Sequence, residues 1–393
     1  MPDDGPGLTT VRSHGAAAVA LLALAAPPGA GAAPWDRPDD IRAFMVMEVC
    51  VDAADQLRPG LAPGDAACTR RRKIREGEPV PYHLHNFPRA DAPCRFRQGS
   101  VSKDNIPVTR NGVTRIVSYY DQGVDHDCPD ATPADPAFGQ FDAGREGGSV
   151  QWADDSFGFI MGSWSPVSVS YLRSPLCADH PASSQALFRG WVIAPARVTE
   201  ITAAIGAAVF ASKLELGSPA GTFGTCPERY NRGFSTWTRG KVDFHSGLRL
   251  EAIVASHYAR ADRQGGSPGE SLQMERTYWT RAFGLTRWEK WGRADWVHPR
   301  NHQPAGELAR ALHAGGACGR GYPMRGSLGE SWQVAPADTG DRYGETLADP
   351  TAGVVHLWLM TLCQDYTNIV HDADPKPPVW GAKMDAAYWQ EDR

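Results

Sequence analysis

The sequence predicts a mainly β protein, built as two sandwich-like (jelly-roll-like) antiparallel units with few short helices and tied by disulfides. Three observations point there. The 393 residues include 41 glycines and 31 prolines, well above the roughly 12% that the two make up together in an average chain, so turns are frequent. Runs rich in β-branched and aromatic residues outnumber stretches with helical periodicity. Eight cysteines are spread through the chain. At 42% hydrophobic and 22% charged residues, the chain has enough apolar material for real cores, which excludes a disordered or fibrous protein.

Residues 1–32 have the order of a secretory signal peptide. Arg12 precedes the apolar run Ala16 to Ala26, and Ala30-Gly31-Ala32 offers small residues for cleavage after Ala32. The run is far short of the ~20 residues that span a bilayer as a helix, and no later segment is as long and uncharged. The mature chain is therefore expected to be secreted, periplasmic or extracellular, with no transmembrane segment after the signal is removed. In that compartment Cys50, Cys68, Cys94, Cys128, Cys177, Cys226, Cys318 and Cys363 are expected to be structural disulfides. None of their spacings is CxxC, which argues against a zinc knuckle or a thioredoxin-like redox site. Eight cysteines allow 105 pairings; chain neighbours, Cys50 with Cys68 and Cys318 with Cys363, are the simplest.

The body of the chain is read as residues 33–195 and 196–393, two β-rich domains meeting near Pro195. In the first, Ile41 to Val51 is apolar without a decisive period, readable as a buried strand or a short helix. Asn111-Gly112 marks a turn into the strand-like run Val113 to Tyr120. Phe157 to Leu172 alternates like a half-buried strand. The Ala-, Ile- and Val-rich stretch Ala194 to Leu216 is either a helix or a strand pair. In the second, Lys241 to Tyr258, Met274 to Trp291 and Gly353 to Thr361 are strand candidates. Pro304 to His313 is the best helix, ended by Gly315-Gly316.

Met274 to Trp291 reads as a β-hairpin turning near Gly284. Pairing Arg276 with Glu289 and Glu275 with Lys290 matches opposite charges, whereas a shift by one residue sets like charges opposite. The register also puts Glu275 and Glu289 on opposite faces, which counts against them as a pair. They remain the carboxylates a glycoside hydrolase would use first, each with another partner such as Asp243 or Glu251.

Other motifs carry less. His83 and His85 point to one side of an extended Tyr82-His83-Leu84-His85, but no third metal ligand lies nearby. Asp121, Asp125, Asp127 and Asp130 crowd Cys128 without the glycine and closing glutamate of an EF-hand loop. Neither justifies a metal, and no cofactor is expected. Gly265-Gly266-Ser267-Pro268-Gly269 fits a serine-hydrolase pattern only on paper, since Pro268 has no N–H to donate to an oxyanion. The net charge of −5 gives no attraction to nucleic acid, and the run Arg70 to Arg75 reads as a solvated loop face.

Thirteen tryptophans remain. Most are expected in cores. Trp237 with Arg239, Trp279, Trp288, Trp291, Trp296 and the nearby Arg287 sit among polar residues, as sugar-stacking rings do. The expected function is binding of a carbohydrate or other cell-envelope ligand in a cleft lined by Trp237, Arg239, Trp279, Arg287 and Trp296. The alternatives are a polysaccharide-cleaving enzyme with Glu275 and Glu289 as catalytic candidates, and a structural or interaction module of the envelope.

Overall fold

The computed structural model describes residues 35, 37–87, 102–110, 113–121, 146–153, 157–162, 190–198, 208–211, 234–259, 268–299, 302–316, 318–328, 332–350 and 352–378. The signal peptide, the alternation at 167–171, the cysteines at 94, 128, 177 and 226, and Asp125, Asp127 and Asp130 lie outside the described residues. Residues Pro34–Arg393 form one compact unit, and its architecture is mostly β with antiparallel sheets.

A short ribbon pairs β1 (Glu48–Cys50) with β2 (Arg71–Lys73). Six strands follow: β3 (Tyr82–His85), β4 (Ser102–Arg110), β5 (Val113–Asp121), β6 (Glu146–Ala153), β7 (Phe157–Gly162) and β8 (Gly190–Pro195). They form a meander that the last strand, β18 (Asn368–His371), extends on its first edge, giving the order β18-β3-β4-β5-β6-β7-β8. After β8, which ends at Pro195, the chain builds a second sheet. Its strands are β9 (Ala208–Ala211), β10 (Phe234–Asp243), β11 (Arg249–Ala259), β12 (Gln273–Thr280), β13 (Gly284–Arg293), β14 (Gly326–Leu328), β15 (Trp332–Asp338), β16 (Tyr343–Asp349) and β17 (Val354–Asp365). The order is β14-β15-β16-β17-β13-β12-β11-β10-β9, and the sheet curls far enough for β14 to come near β9. Strands β3 to β8 and β9 to β17 thus fall into separate sheets, with β18 returning to the first, and the two sheets share a core.

That core has an unusual filling. Ile41 to Met47 is an apolar segment, a 3-10 turn (Ile41–Phe44) with Asp40 as its N-cap, and its residues other than Arg42 are fully buried. Its backbone is bonded to both sheets: Ile41 N to Ala196 O at 3.0 Å, Met47 N to Asn105 O at 3.0 Å, and Glu48 N to Ala282 O at 2.7 Å. Packed from every side, it needs apolar residues at nearly every position, which is why no helix or strand period shows in the sequence. Gly284, with φ of 74°, sits against this plug; a β-carbon there would come within 2.5 Å of Met45 O and 2.7 Å of Asn105. Trp237, Ile253, Ala255, Trp279 and Leu285 meet the plug from the second sheet, defining that sheet's outer face. Their chain neighbours point to the other, inner side of the curl.

The inner face has its own core around Tyr258, Met274, Trp291, Val334, Leu347, Trp358 and Met360. The helix α1 (Ala305–Gly315) packs Leu308 and Ala309 with Trp296 and Leu359. It ends at Gly316, whose φ of 68° is the left-handed conformation a C-terminal glycine adopts readily. The Cys50–Cys68 and Cys318–Cys363 disulfides both form, as neighbour pairing predicts. Among the described residues no helix is long and apolar enough to cross a membrane.

The hairpin register is the one the charges select: Arg276 opposite Glu289 and Glu275 opposite Lys290. An irregularity after Tyr278 then shifts the pairing, so that Thr280 meets Gly284 and Arg281, Ala282 and Phe283 make the turn. The stretch Lys241 to Tyr258 holds a turn, with β10 ending at Asp243 and β11 starting at Arg249.

Candidate functional site

Glu289 has no exposed surface. Its Oε1 accepts from Tyr278 Oη at 2.9 Å and from Arg287 Nε at 2.7 Å, and its Oε2 accepts from Trp291 Nε1 at 2.8 Å. Arg276 reaches Glu345 at 2.7 Å, and Arg287 reaches Asp365 at 3.3 Å. Burial alone would lower the pKa of both guanidinium groups. Glu345, Tyr278 and Glu289 around Arg276, and Glu289, Tyr278 and Asp365 around Arg287, outweigh it, so both are raised and fixed as cations. A short strap, Cys318 to Tyr322, closes over this cluster with its backbone. Gly319 O accepts from Arg287 Nη2 at 2.7 Å, and Tyr322 N donates to Tyr278 Oη at 3.2 Å. Gly321, with φ of 73°, lies so close that a β-carbon would be 2.5 Å from Glu289 Oε1. A carboxylate saturated in this way and shut off from water cannot deliver a proton to a glycosidic oxygen.

Glu275 lies on the outer face, half-buried, and accepts from Trp288 Nε1 at 2.7 Å. The register puts it directly opposite His257, which is itself opposite Ser235, and Ser235 Oγ lies 3.1 Å from His257 Nδ1. A Ser, a His and a Glu in one row invite comparison with a nucleophilic triad. The chemistry does not follow, because burial pulls the His257 pKa down to about 3 and Ser235 is only 2% exposed. A base that weak and a hydroxyl that inaccessible make a polar cross-strand ladder.

The expected aromatic and arginine cleft is not assembled. Trp237 and Trp279 belong to the core between the sheets. Arg239 is held there by Glu251 at 2.7 Å and stacks on Phe44. Arg287 is on the opposite, inner face, and Trp296 packs against α1. In strands, polar sequence neighbours of a tryptophan point away from it, so a polar context along the chain is no sign of a wet ring.

Of the other motifs, His83 and His85 share a side of β3, and His83 Nδ1 is 2.9 Å from Asp104 with its Nε2 3.8 Å from Asp372. The Asp104 hydrogen bond raises the His83 pKa against burial. Among the described residues no three His, Cys, Asp or Glu side chains gather as a metal site. The basic run is paired: Arg72 with Asp55 and Glu78, Arg75 with Asp55, and Arg71 with Glu48. Lys73 is buried, which lowers its pKa to about 8, and it donates to Val46 O at 2.9 Å.

One accessible constellation escaped sequence reading. Trp332, Asp349 and His356 come from β15, β16 and β17 at one end of the curled sheet. Gln333 pairs with Ala348 and Asp349 with Val354, so continuing the register sets Trp332 beside Asp349 on the inner face, with His356 two residues on from Val354. Gly269, in the turn Pro268–Glu270 before β12, meets them across the mouth of the curl. A β-carbon on it would lie 2.8 Å from Trp332 Cη2, 3.1 Å from Asp349 Oδ2 and 3.4 Å from His356 Nε2. All four residues are half-exposed. Trp332 rests on the inner core, and Arg293 Nη1 ties the turn down by donating to Gly269 O at 2.7 Å. Only the strand register brings these residues together; no local pattern in the sequence announces them.

The fold thus defines a mostly β protein of two packed antiparallel sheets with two disulfides among its described residues. Comparison with protein families, curated proteins and solved structures finds no match to this chain.

Proposed function

We propose that this is an exported, non-catalytic binding protein that takes a carbohydrate or other cell-envelope ligand at the mouth of its curled sheet. The observation that carries the reading is the gathering of three half-exposed side chains, the Trp332 ring, the Asp349 carboxylate and the His356 imidazole, around Gly269. An aromatic face stacks on the C–H face of a sugar while a carboxylate and an imidazole bond to its hydroxyls. The mouths of closed or nearly closed sheets are common ligand sites. Export is supported by the apolar run Ala16 to Ala26 with its small-residue end and by two disulfides.

The burial of Trp237, Trp279, Trp291, Trp296 and Trp358 favours a second reading, a structural module of the envelope whose tryptophans are all packing material. Gel retardation with soluble polysaccharides, followed by product analysis, separates the two. Binding without cleavage that Trp332→Ala removes is the expected result. Retention of full binding by Trp332→Ala, or release of shortened chains, overturns the assignment.

A further inference from the structure

We infer that β18 and the tail behind it form a pH-sensitive clasp, closed on the edge of the first sheet by two histidine–carboxylate pairs and loosened as those histidines lose their protons. The inference is independent of the binding function proposed above.

The first argument is topological. From the end of β17 in the second sheet the chain crosses to the edge of the first, where β18 pairs with β3 alone, over four residues from Asn368 opposite His85 to His371 opposite Tyr82. Two further backbone bonds carry the tail along the same edge, Asp372 N to Pro81 O at 2.9 Å and Val80 N to Lys376 O at 3.4 Å. Val370 and His371 are exposed. A short edge strand with half of its side chains in water opens more readily than the strands of the core, so small changes in what holds it are felt there.

The second argument is a count of donors. His83 stands between two carboxylates: its Nδ1 is 2.9 Å from Asp104 Oδ1 on β4, and its Nε2 is 3.8 Å from Asp372 Oδ2 on the tail. The imidazolium has an N–H for each. The neutral ring has only one, so one of the two carboxylates then faces a lone pair. Asp372, at the longer distance, is the partner lost, and the tail loosens before β4 does. Asp104 and Asp372 are the charged groups that act on His83, and both hold its pKa up against burial. On its own strand His85 shares its side, while Tyr82 points to the other and donates to Glu48 O. Farther along, His371 Nε2 lies 3.0 Å from Asp65 Oδ2 in the turn before β2, and the same oxygen accepts from Ala62 N at 2.8 Å, which fixes the carboxylate in place. These pairs are partly exposed, so each changes an opening equilibrium by at most about fivefold.

Hydrogen exchange of the whole chain, read by mass spectrometry and corrected for the intrinsic pH dependence of amide exchange, tests the clasp between pH 5.5 and pH 8.5. Peptides covering residues 368–376 are expected to be far less protected than β12 and to lose protection about three- to tenfold across that range. Asp372→Asn flattens part of the loss, and His83→Gln with His371→Gln removes it. His302→Asn, at an exposed histidine with a φ of 57° elsewhere in the fold, leaves it unchanged. Asp372→Asn alters only a tail side chain and keeps the test decisive should His83→Gln, which also gives up the bond to β4, lower the melting temperature. Protection of β18 equal to that of β12 at every pH overturns the inference, because the strand would then open only with the whole fold. A loss that survives in the His83→Gln/His371→Gln double variant, or that vanishes in His302→Asn, overturns it as well.

Discussion

The two faces of the β12–β13 hairpin hold similar residues in opposite circumstances. On the inner face Arg276, Arg287 and Glu289 are fully buried, paired with one another and with Glu345, Asp365, Tyr278 and Trp291, and covered by the strap; Arg276 Nη1, 4.0 Å from Glu289 Oε2, is the nitrogen of the cluster left without a hydrogen bond. On the outer face Glu275 and Lys290, directly opposite each other, stay half-exposed at the border of the core between the sheets. The same cross-strand charge pairing therefore acts as a surface register mark on one side and as an interior framework on the other. Buried ion pairs seldom add stability over well-packed apolar residues, but once present they are costly to break. The inner cluster is a commitment of the fold, and the outer pair is expendable.

The sharpest way to break this comparison is to neutralise each glutamate. Glu289→Gln leaves Arg287 with one anionic partner fewer at a fully buried position and should cost about 3–5 kcal/mol. Glu275→Gln keeps a carbonyl to accept from Trp288 and should cost under about 1 kcal/mol. Urea denaturation of the two variants measures the difference; equal losses would mean that the inner cluster is not the framework described.

This hairpin also shows what was legible in the sequence. Its register followed from the alternation of charge, because like charges opposite one another are penalised and only one alignment avoids them. The chain-neighbour disulfides and the helix ended by Gly316 were legible for equally local reasons. The depth at which the charges lie was not, because burial depends on what closes over a strand, and here that is a strap some 30 residues downstream. The tryptophans misled for the reason given by strand geometry: Trp279 is flanked by Tyr278 and Thr280, which face the other way. Trp332, Asp349 and His356 meet through the pairing of three strands and a turn from a fourth place in the chain. Nothing within reach of any one of them predicts the others.

The strap itself sharpens the comparison at smaller cost. Gly321→Ala places a β-carbon on Glu289 in a left-handed backbone, and should cost about 2–3 kcal/mol from strain and overpacking together. Gly340→Ala has a similar φ of 67° but meets nothing within 4 Å, so it reports backbone strain alone, about 1 kcal/mol. The gap between the two variants in melting temperature measures how tightly the strap is pressed onto the inner cluster. If both fall by the same amount, the strap is only loosely seated.

A further effect concerns the outer face and appears only on acidification. His257, opposite Glu275, has a pKa lowered by burial to about 3, against about 6.5 in an unfolded chain. The folded state therefore holds it neutral. Above pH 6.5 both states are neutral and nothing is lost; as pH falls below 6.5 the unfolded chain takes up a proton that the folded one refuses. Stability then declines by at most about 1.4 kcal/mol per pH unit, down to about pH 3. His83 behaves in the opposite sense. Its pKa is raised by the Asp104 hydrogen bond, so the contribution of its protonated form is complete below pH 6.5 and disappears as pH rises through the folded value. His257→Asn should flatten the loss between pH 6.5 and 4 while leaving the alkaline limb intact, and His83→Gln should flatten only the alkaline limb. Denaturation midpoints of the two variants across pH 4 to 9 test this. A His257→Asn protein with an unchanged acid limb would show that the outer row admits water to its imidazole, and the contrast between the polar ladder and an open, reactive row would have to be redrawn.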